Sequence, residues 1–89
     1  MGVGAIPQAM SLPQSRAMVP ALDRQLREYR AIAAQWGAAL RLGGALLFEV
    51  GIGQAGDVGA ILAQNQFEQI QTFQDTQGIG RVVEGVLNS

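Results

Sequence analysis

An α/β fold with two helices, one parallel strand and a terminal hairpin is what this sequence predicts, on three observations. Apolar residues recur in steps of three and four along Leu22, Leu26, Tyr29, Ala33, Trp36 and Leu40, the spacing of one helix face. A nearly continuous apolar run, Ala45-Leu46-Leu47-Phe48-Glu49-Val50, breaks into the glycines Gly51, Gly53 and Gly56. A run without alternation wants burial on both faces, as a parallel strand does. Finally, Phe67–Phe73 and Arg81–Val86 flank the turn-rich Asp75-Thr76-Gln77-Gly78-Ile79-Gly80 and read as strands that return antiparallel.

Taken in order, residues 1–20 hold Gly2, Gly4, Pro7, Pro13 and Pro20 with no sustained period, and read as an irregular lead-in. Residues 21–89 form the α/β portion. Pro20 suits a first helical turn, and Asp23 complements the helix dipole. The stripe then predicts an amphipathic helix of about five turns, with Arg24, Arg27, Glu28, Arg30 and Gln35 off the apolar face. Gly43-Gly44 reads as its stop. Beyond the glycine loop, Asp57 in a first turn and Val58, Ile61, Leu62 and Asn65 at helical spacing predict a second helix to about Gln66. Gly59 weakens that helix by up to ~1 kcal/mol relative to alanine.

Length and composition narrow the function. A chain of 89 residues buries only somewhat over ~60% of its unfolded surface, so its core is thin. Hydrophobic residues at 48% exclude a disordered chain, and charged residues at 15% leave little to keep apolar surface in water, which points to a partner. All six basic residues are arginine and the formal net charge is −1, so no nucleic-acid partner is expected. The absence of cysteine and histidine removes thiolate nucleophiles, imidazole bases and the usual zinc ligands. No apolar run approaches the ~20 residues of a membrane span. Ile6 breaks the acylation pattern begun by Met1-Gly2, and no secretion signal is evident, so no membrane partner and a cytoplasmic location are expected.

The loop Gly51-Ile52-Gly53-Gln54-Ala55-Gly56 has dinucleotide-binding spacing, G-x-G-x-x-G, and Asp75 lies roughly 20 residues on, where a ribose-binding acid is sought. Its surroundings argue otherwise. Glu49 adds negative charge where phosphates would sit, a long helix precedes the strand, and Gln69, Gln71 and Gln74 are polar where a central parallel strand is apolar. The simpler reading is that the glycines let the chain turn sharply from strand to helix. Glu49 then reads as a structural acid capping loop amides in preference to a ligand contact. Tyr29 and Trp36 read as core, and Arg81 as a partner for Asp75 across the turn.

The stretch Leu42-Gly43-Gly44-Ala45-Leu46-Leu47-Phe48-Glu49-Val50-Gly51 resembles a late segment of class I S-adenosylmethionine methyltransferases. Its continuation through Gly53-Gln54 to Val58, then Phe67, Asp75, Gly78 and Gly80-Arg81-Val82-Val83-Glu84-Gly85, is similar to the C-terminal end of the protein-(glutamine-N5) methyltransferases that modify peptide chain release factors. The resemblance runs from about Tyr29 to Val86. It implies a partial class I methyltransferase-like sheet, in which the glycine loop joins the fifth strand to the next helix. The last two strands would be the sixth and a reversed seventh, inserted between five and six.

The family's early cofactor loop and its Asn-Pro-Pro-Tyr motif are not in this sequence, and Leu42 stands where a proline is usual. No catalytic, cofactor-binding or metal-ligating residue is therefore assigned. The resemblance implies a truncated, C-terminal piece of a release factor glutamine methyltransferase, inactive alone. The family uses S-adenosylmethionine, but this chain alone is expected to bind no cofactor. Self-association or docking through an exposed sheet face is expected, and a release factor enters as partner only by resemblance. Two alternatives stand beside this reading: a small α/β interaction or dimerisation module, and a dinucleotide-binding fragment using Gly51, Gly53 and Gly56.

Overall fold

The computed structural model describes residues 14–87. In chain order these form β1 (Gln14–Val19), α1 (Leu26–Ala39), β2 (Leu40–Glu49), α2 (Ala55–Gln64), β3 (Phe67–Gln74) and β4 (Gly80–Leu87). The four strands make one sheet in the order β1-β2-β4-β3. β1 and β2 are parallel, and β4 runs antiparallel to both of its neighbours. The last strand is thus inserted between β2 and β3, pairing Ala45 with Val86 and Glu49 with Val82. This is the α/β arrangement expected from the sequence, with the polar β3 at the edge, where one side of the strand needs no partner.

Both helices pack on one face of the sheet. Tyr29, Ile32, Ala33 and Trp36 of α1 and Val58, Ile61 and Leu62 of α2 meet Leu46, Phe48, Val50, Val83 and Phe67 in a single core. Tyr29 and Phe48 meet edge to face, with ring centroids 5.0 Å apart and planes at 86°, a geometry favoured by the ring quadrupoles. Leu46, Leu47, Phe48 and Val50 are all buried, as their unbroken run requires. Leu47 points away from the helices, between Met18 and Glu84 on the neighbouring strands. By the same alternation Val82, Val86 and Phe73 share its face. Among the described residues no helix covers that face, and Met18 and Phe73 remain about half exposed, at 49% and 46%.

Three sequence-based boundaries are corrected. The irregular lead-in expected over residues 1–20 contains β1, which pairs with β2 from Arg16↔Ala45 to Val19↔Phe48. Over residues 16–19, Ala17 and Val19 turn inward against exposed Arg16 and Met18, an alternation too short to register as a period. Residues 1–13 lie outside the described residues.

The first helix begins at Leu26 instead of near Pro20, because Asp23 takes the left-handed φ of 52° that no helix interior accepts, and Gln25 is the extended N-cap. Leu22 and Leu26 consequently fall outside the buried stripe, which starts at Tyr29. At its other end α1 stops at Ala39, giving 14 residues and about four turns. Gly43 and Gly44 lie inside β2. Gly43, at φ 84°, sits in the stretch that adds extra residues to β2 between the Gln14↔Leu40 and Arg16↔Ala45 pairs. A bulge replaces the expected helix stop.

Candidate functional site

The parallel strands β1 and β2 end together, at Val19 and Glu49, and the loops leaving them frame a cleft. Open α/β sheets hold ligands at this carboxyl edge, where chain connections diverge. The cavity measures about 470 Å³ and is lined by Asp23, Arg24, Tyr29, Ile52, Gln54 and Arg81 together with Ala21 and Gly51. A second hollow of about 300 Å³ adjoins it over Glu49, Val50 and Val82.

Gln54 ties the two loops together. Its Oε1 accepts from the Gly51 N–H at 2.9 Å, and its Nε2 donates to the Arg24 carbonyl at 3.3 Å. The Tyr29 hydroxyl has one proton and two acceptors in reach, the Glu49 carbonyl at 3.0 Å and Gln54 Oε1 at 3.4 Å. The shorter contact sets its direction, and the ring's anchorage under β2 fixes its position. Burial pushes the Tyr29 hydroxyl above its ordinary pKa. The Arg24 charge opposes this, and Glu28 and Glu49 reinforce it. The hydroxyl is therefore a neutral donor and not a base at ordinary pH.

Glu49 does what the sequence reading prefers for it: Oε1 accepts from the Ala21 N–H at 3.3 Å, linking the ends of β1 and β2. Arg24 is oriented by donation from Nε to the Pro20 carbonyl at 3.0 Å, and it faces Glu28 at 3.7 Å. Arg81 departs from expectation. It makes no ion pair with Asp75, because the Asp75 carboxylate caps its own turn, accepting from Gln77 N–H at 2.8 Å and Ile79 N–H at 3.0 Å. Those bonds, Ile79's first, then Gln77's and the more distant Arg81 charge, hold the Asp75 carboxyl below its ordinary range. Arg81 lines the cleft instead.

The same geometry bears on the glycine triplet. Gly53 is required by its φ of 82°. Gly51 has its amide occupied by Gln54 Oε1 and is not free to donate to a pyrophosphate. Asp75, the candidate ribose acid, is spent on its own turn. Among the described residues no group of three acids could hold a metal ion, and no helix is long and apolar enough to cross a membrane. The cleft's chemistry is that of orienting a polar ligand through fixed donors. The sequence reading missed Gln54 as the joint between loops and Arg24 as a cleft cation. Both lie in the two loops, where no hydrophobic period marks a residue's direction.

Neither a protein-family model nor a curated protein matches the sequence. Solved structures do. The release factor-specific protein-(glutamine-N5) methyltransferase from Alicyclobacillus acidocaldarius superposes with a TM-score of 0.65 at 26% identity, covering 86% of this chain and 50% of that one. A possible exported protein from Bordetella parapertussis gives a TM-score of 0.77 at 11% identity, over 100% of this chain and 43% of that one. Magnesium protoporphyrin IX methyltransferase from Synechocystis, solved with S-adenosylmethionine bound, gives 0.66 at 11% identity, over 99% and 44%. The chain spans half the length or less of these three structures, and over that span its fold is class I methyltransferase-like.

Proposed function

We propose that this chain supplies the late-strand part of an S-adenosylmethionine-dependent methyltransferase domain, and more narrowly of one that methylates the side-chain amide of a glutamine in a peptide chain release factor. The observation that carries this reading is the 26% identity to the release factor-specific enzyme over 86% of the chain. The shared sheet, with its last strand reversed between β2 and β3, supports it. The chain alone is not catalytic. Orienting an amide and stabilising charge as its nitrogen attacks a methyl group needs a preorganised polar pocket, and the cofactor loop and Asn-Pro-Pro-Tyr motif that build it in the family are missing from this sequence. In this reading the Tyr29–Gln54–Glu49 network fixes one wall of the acceptor site, and the uncovered sheet face with the outer edge of β1 receives the rest of the domain.

A chimera tests this. Residues 26–87 replace the matching segment of the Alicyclobacillus enzyme, leaving that enzyme's own cofactor loop and Asn-Pro-Pro-Tyr motif in place, and methylation of its release factor glutamine is followed by mass spectrometry. Retained methyl transfer is the expected result. A folded chimera that binds S-adenosylmethionine yet methylates no glutamine would sink the narrower reading, and one that binds no cofactor would sink the broader one.

A second reading, a small module that self-associates through the uncovered face, is favoured by the half-exposed Met18 and Phe73 on that face. Light scattering after size-exclusion tests the face itself: a clean monomer of the isolated chain counts against this second reading.

A further inference from the structure

The cleft above β1 and β2 carries chemistry that methyl transfer leaves unused. Two arginines, Arg24 and Arg81, are among the residues lining the same cavity. The Arg24 side chain is only 11% exposed and is held in place through Nε by the Pro20 carbonyl. Its nearest carboxylate, Glu28, stands 3.7 Å from Nη1, outside hydrogen-bonding distance, so its Nη donors remain available. Arg81 lies beside the end of β2, where its carbonyl accepts from Val50 N–H at 2.9 Å. Its guanidinium forms no ion pair within 4.0 Å among the described residues. Asp23 is the one acid among the cavity's lining residues, Glu28 faces Arg24 from outside that lining, and Arg81 borders both this cavity and the hollow that Glu49 lines. Glu49 faces the neighbouring hollow, tied to Ala21. Leu22 and Ile52, at 61% and 72% exposure, stand on the two loops that frame the opening.

We infer that this cleft binds an oxyanion, the carboxylate of an acidic polypeptide segment or a free phosphate, between Arg24 and Arg81. Planar guanidinium forks match the paired oxygens of both groups, and partial removal from water strengthens such contacts. A cavity of about 470 Å³ lies within the range of small-ligand pockets. The exposed Leu22 and Ile52 offer apolar contact to the residues flanking a bound side chain, which favours the peptide source. The inference goes beyond the methyltransferase reading and does not depend on it.

The test is a titration of the 15N-labelled chain followed by NMR, reading the Nε–H signals of Arg24 and Arg81 and the amides of residues 51–54. The probes are inorganic phosphate and a capped tetrapeptide containing one glutamate and one leucine, with sodium chloride at equal ionic strength as control. Saturable shifts at both arginines are expected with at least one probe, and Arg81→Gln should weaken binding by about tenfold or more, the loss of one charge-assisted hydrogen bond. Tighter binding of the peptide assigns the carboxylate source, and tighter binding of phosphate assigns the other. Shifts that do not saturate, that chloride reproduces, or that survive unchanged in Arg81→Gln would overturn the inference. Arg81→Gln is the decisive variant because its side chain is exposed and its loss leaves the Arg24–Pro20 bond intact.

Discussion

Replacing Gly85 by alanine tests how β4 is seated between its neighbours. A Cβ at Gly85 would stand 2.9 Å from the Phe67 Cβ, 3.1 Å from Ile70 Cδ1 and 3.3 Å from Leu62 Cδ1. The two longer contacts involve ends of flexible side chains, but the Phe67 Cβ moves only with the β3 backbone. Overpacking of this kind costs typically ~1–3 kcal/mol, and the rigid neighbour places this site in the upper half of that range. Alanine gives back about 0.4–1 kcal/mol by restricting the unfolded chain. The net expectation is a loss of roughly 1.5 kcal/mol. With a urea dependence of about 1–1.5 kcal/mol per molar for a chain this small, the unfolding midpoint falls by about 1 M or somewhat more. Gly56→Ala is the matched control, since its added methyl meets nothing within 4 Å inside α2; it should gain up to ~1 kcal/mol from helix propensity. A Gly85→Ala chain as stable as the parent would refute the placement of β4 against Phe67.

Other outcomes follow from the same geometry. Tyr29→Phe removes the hydroxyl that spans Glu49 and Gln54, and should cost about 1 kcal/mol in urea unfolding. Phe48→Ala empties the centre of the core and should cost ~3–5 kcal/mol, enough to unfold much of so small a chain at room temperature. The Asp75 carboxyl is held below its ordinary range in the folded state, so its contribution is present above the unfolded pKa of about 3.9 and is lost as pH falls through the lower folded value. Urea midpoints measured from neutral pH downward should therefore converge for the parent and Asp75→Asn in acid; a difference that stays constant with pH would contradict the turn-capping role. Met18→Asp and Phe73→Asp each place a charge on the uncovered face, and light scattering should show less self-association with little change in melting temperature.

Much of this fold is legible in the sequence, for reasons that differ by element. The run Leu46–Val50 reads as a strand wanting burial, and Leu46, Leu47, Phe48 and Val50 are buried while Glu49 is exposed, with helices on one face only among the described residues. The span Arg81–Val86 was legible as a strand, while its insertion beside β2 followed from the family resemblance and not from any periodicity. β1 was not legible, because its burial depends on pairing with a strand more than twenty residues away and the alternation over residues 16–19 is too short to mark a strand. The ends of α1 were misplaced because the apolar stripe continues through Leu22 and Leu40, whereas Asp23's left-handed backbone and the extended Leu40 end the helix. The cleft itself was not legible: Glu49, read from the sequence as a structural acid, lines the adjoining hollow. Arg24, Gln54 and Arg81 meet in the cleft through loop geometry and strand insertion, and no local pattern in the sequence encodes either.

The central structural claim is that β4 lies between β2 and β3, which makes the glycine loop a late strand-to-helix turn. Because the chain contains no cysteine, disulfide trapping tests this without background. Ala45 and Val86 are direct antiparallel partners, so their Cα atoms are about 4.5–5.5 Å apart, within the span a disulfide bridges. Glu68 pairs with Val86 from the opposite side, roughly two strand spacings, or ~10 Å, from Ala45. Mild oxidation of Ala45→Cys/Val86→Cys should give an intramolecular disulfide, visible by mass spectrometry, and Ala45→Cys/Glu68→Cys should give none. Efficient closure of the Ala45–Glu68 pair, with none between Ala45 and Val86, would place β3 beside β2 and contradict the account.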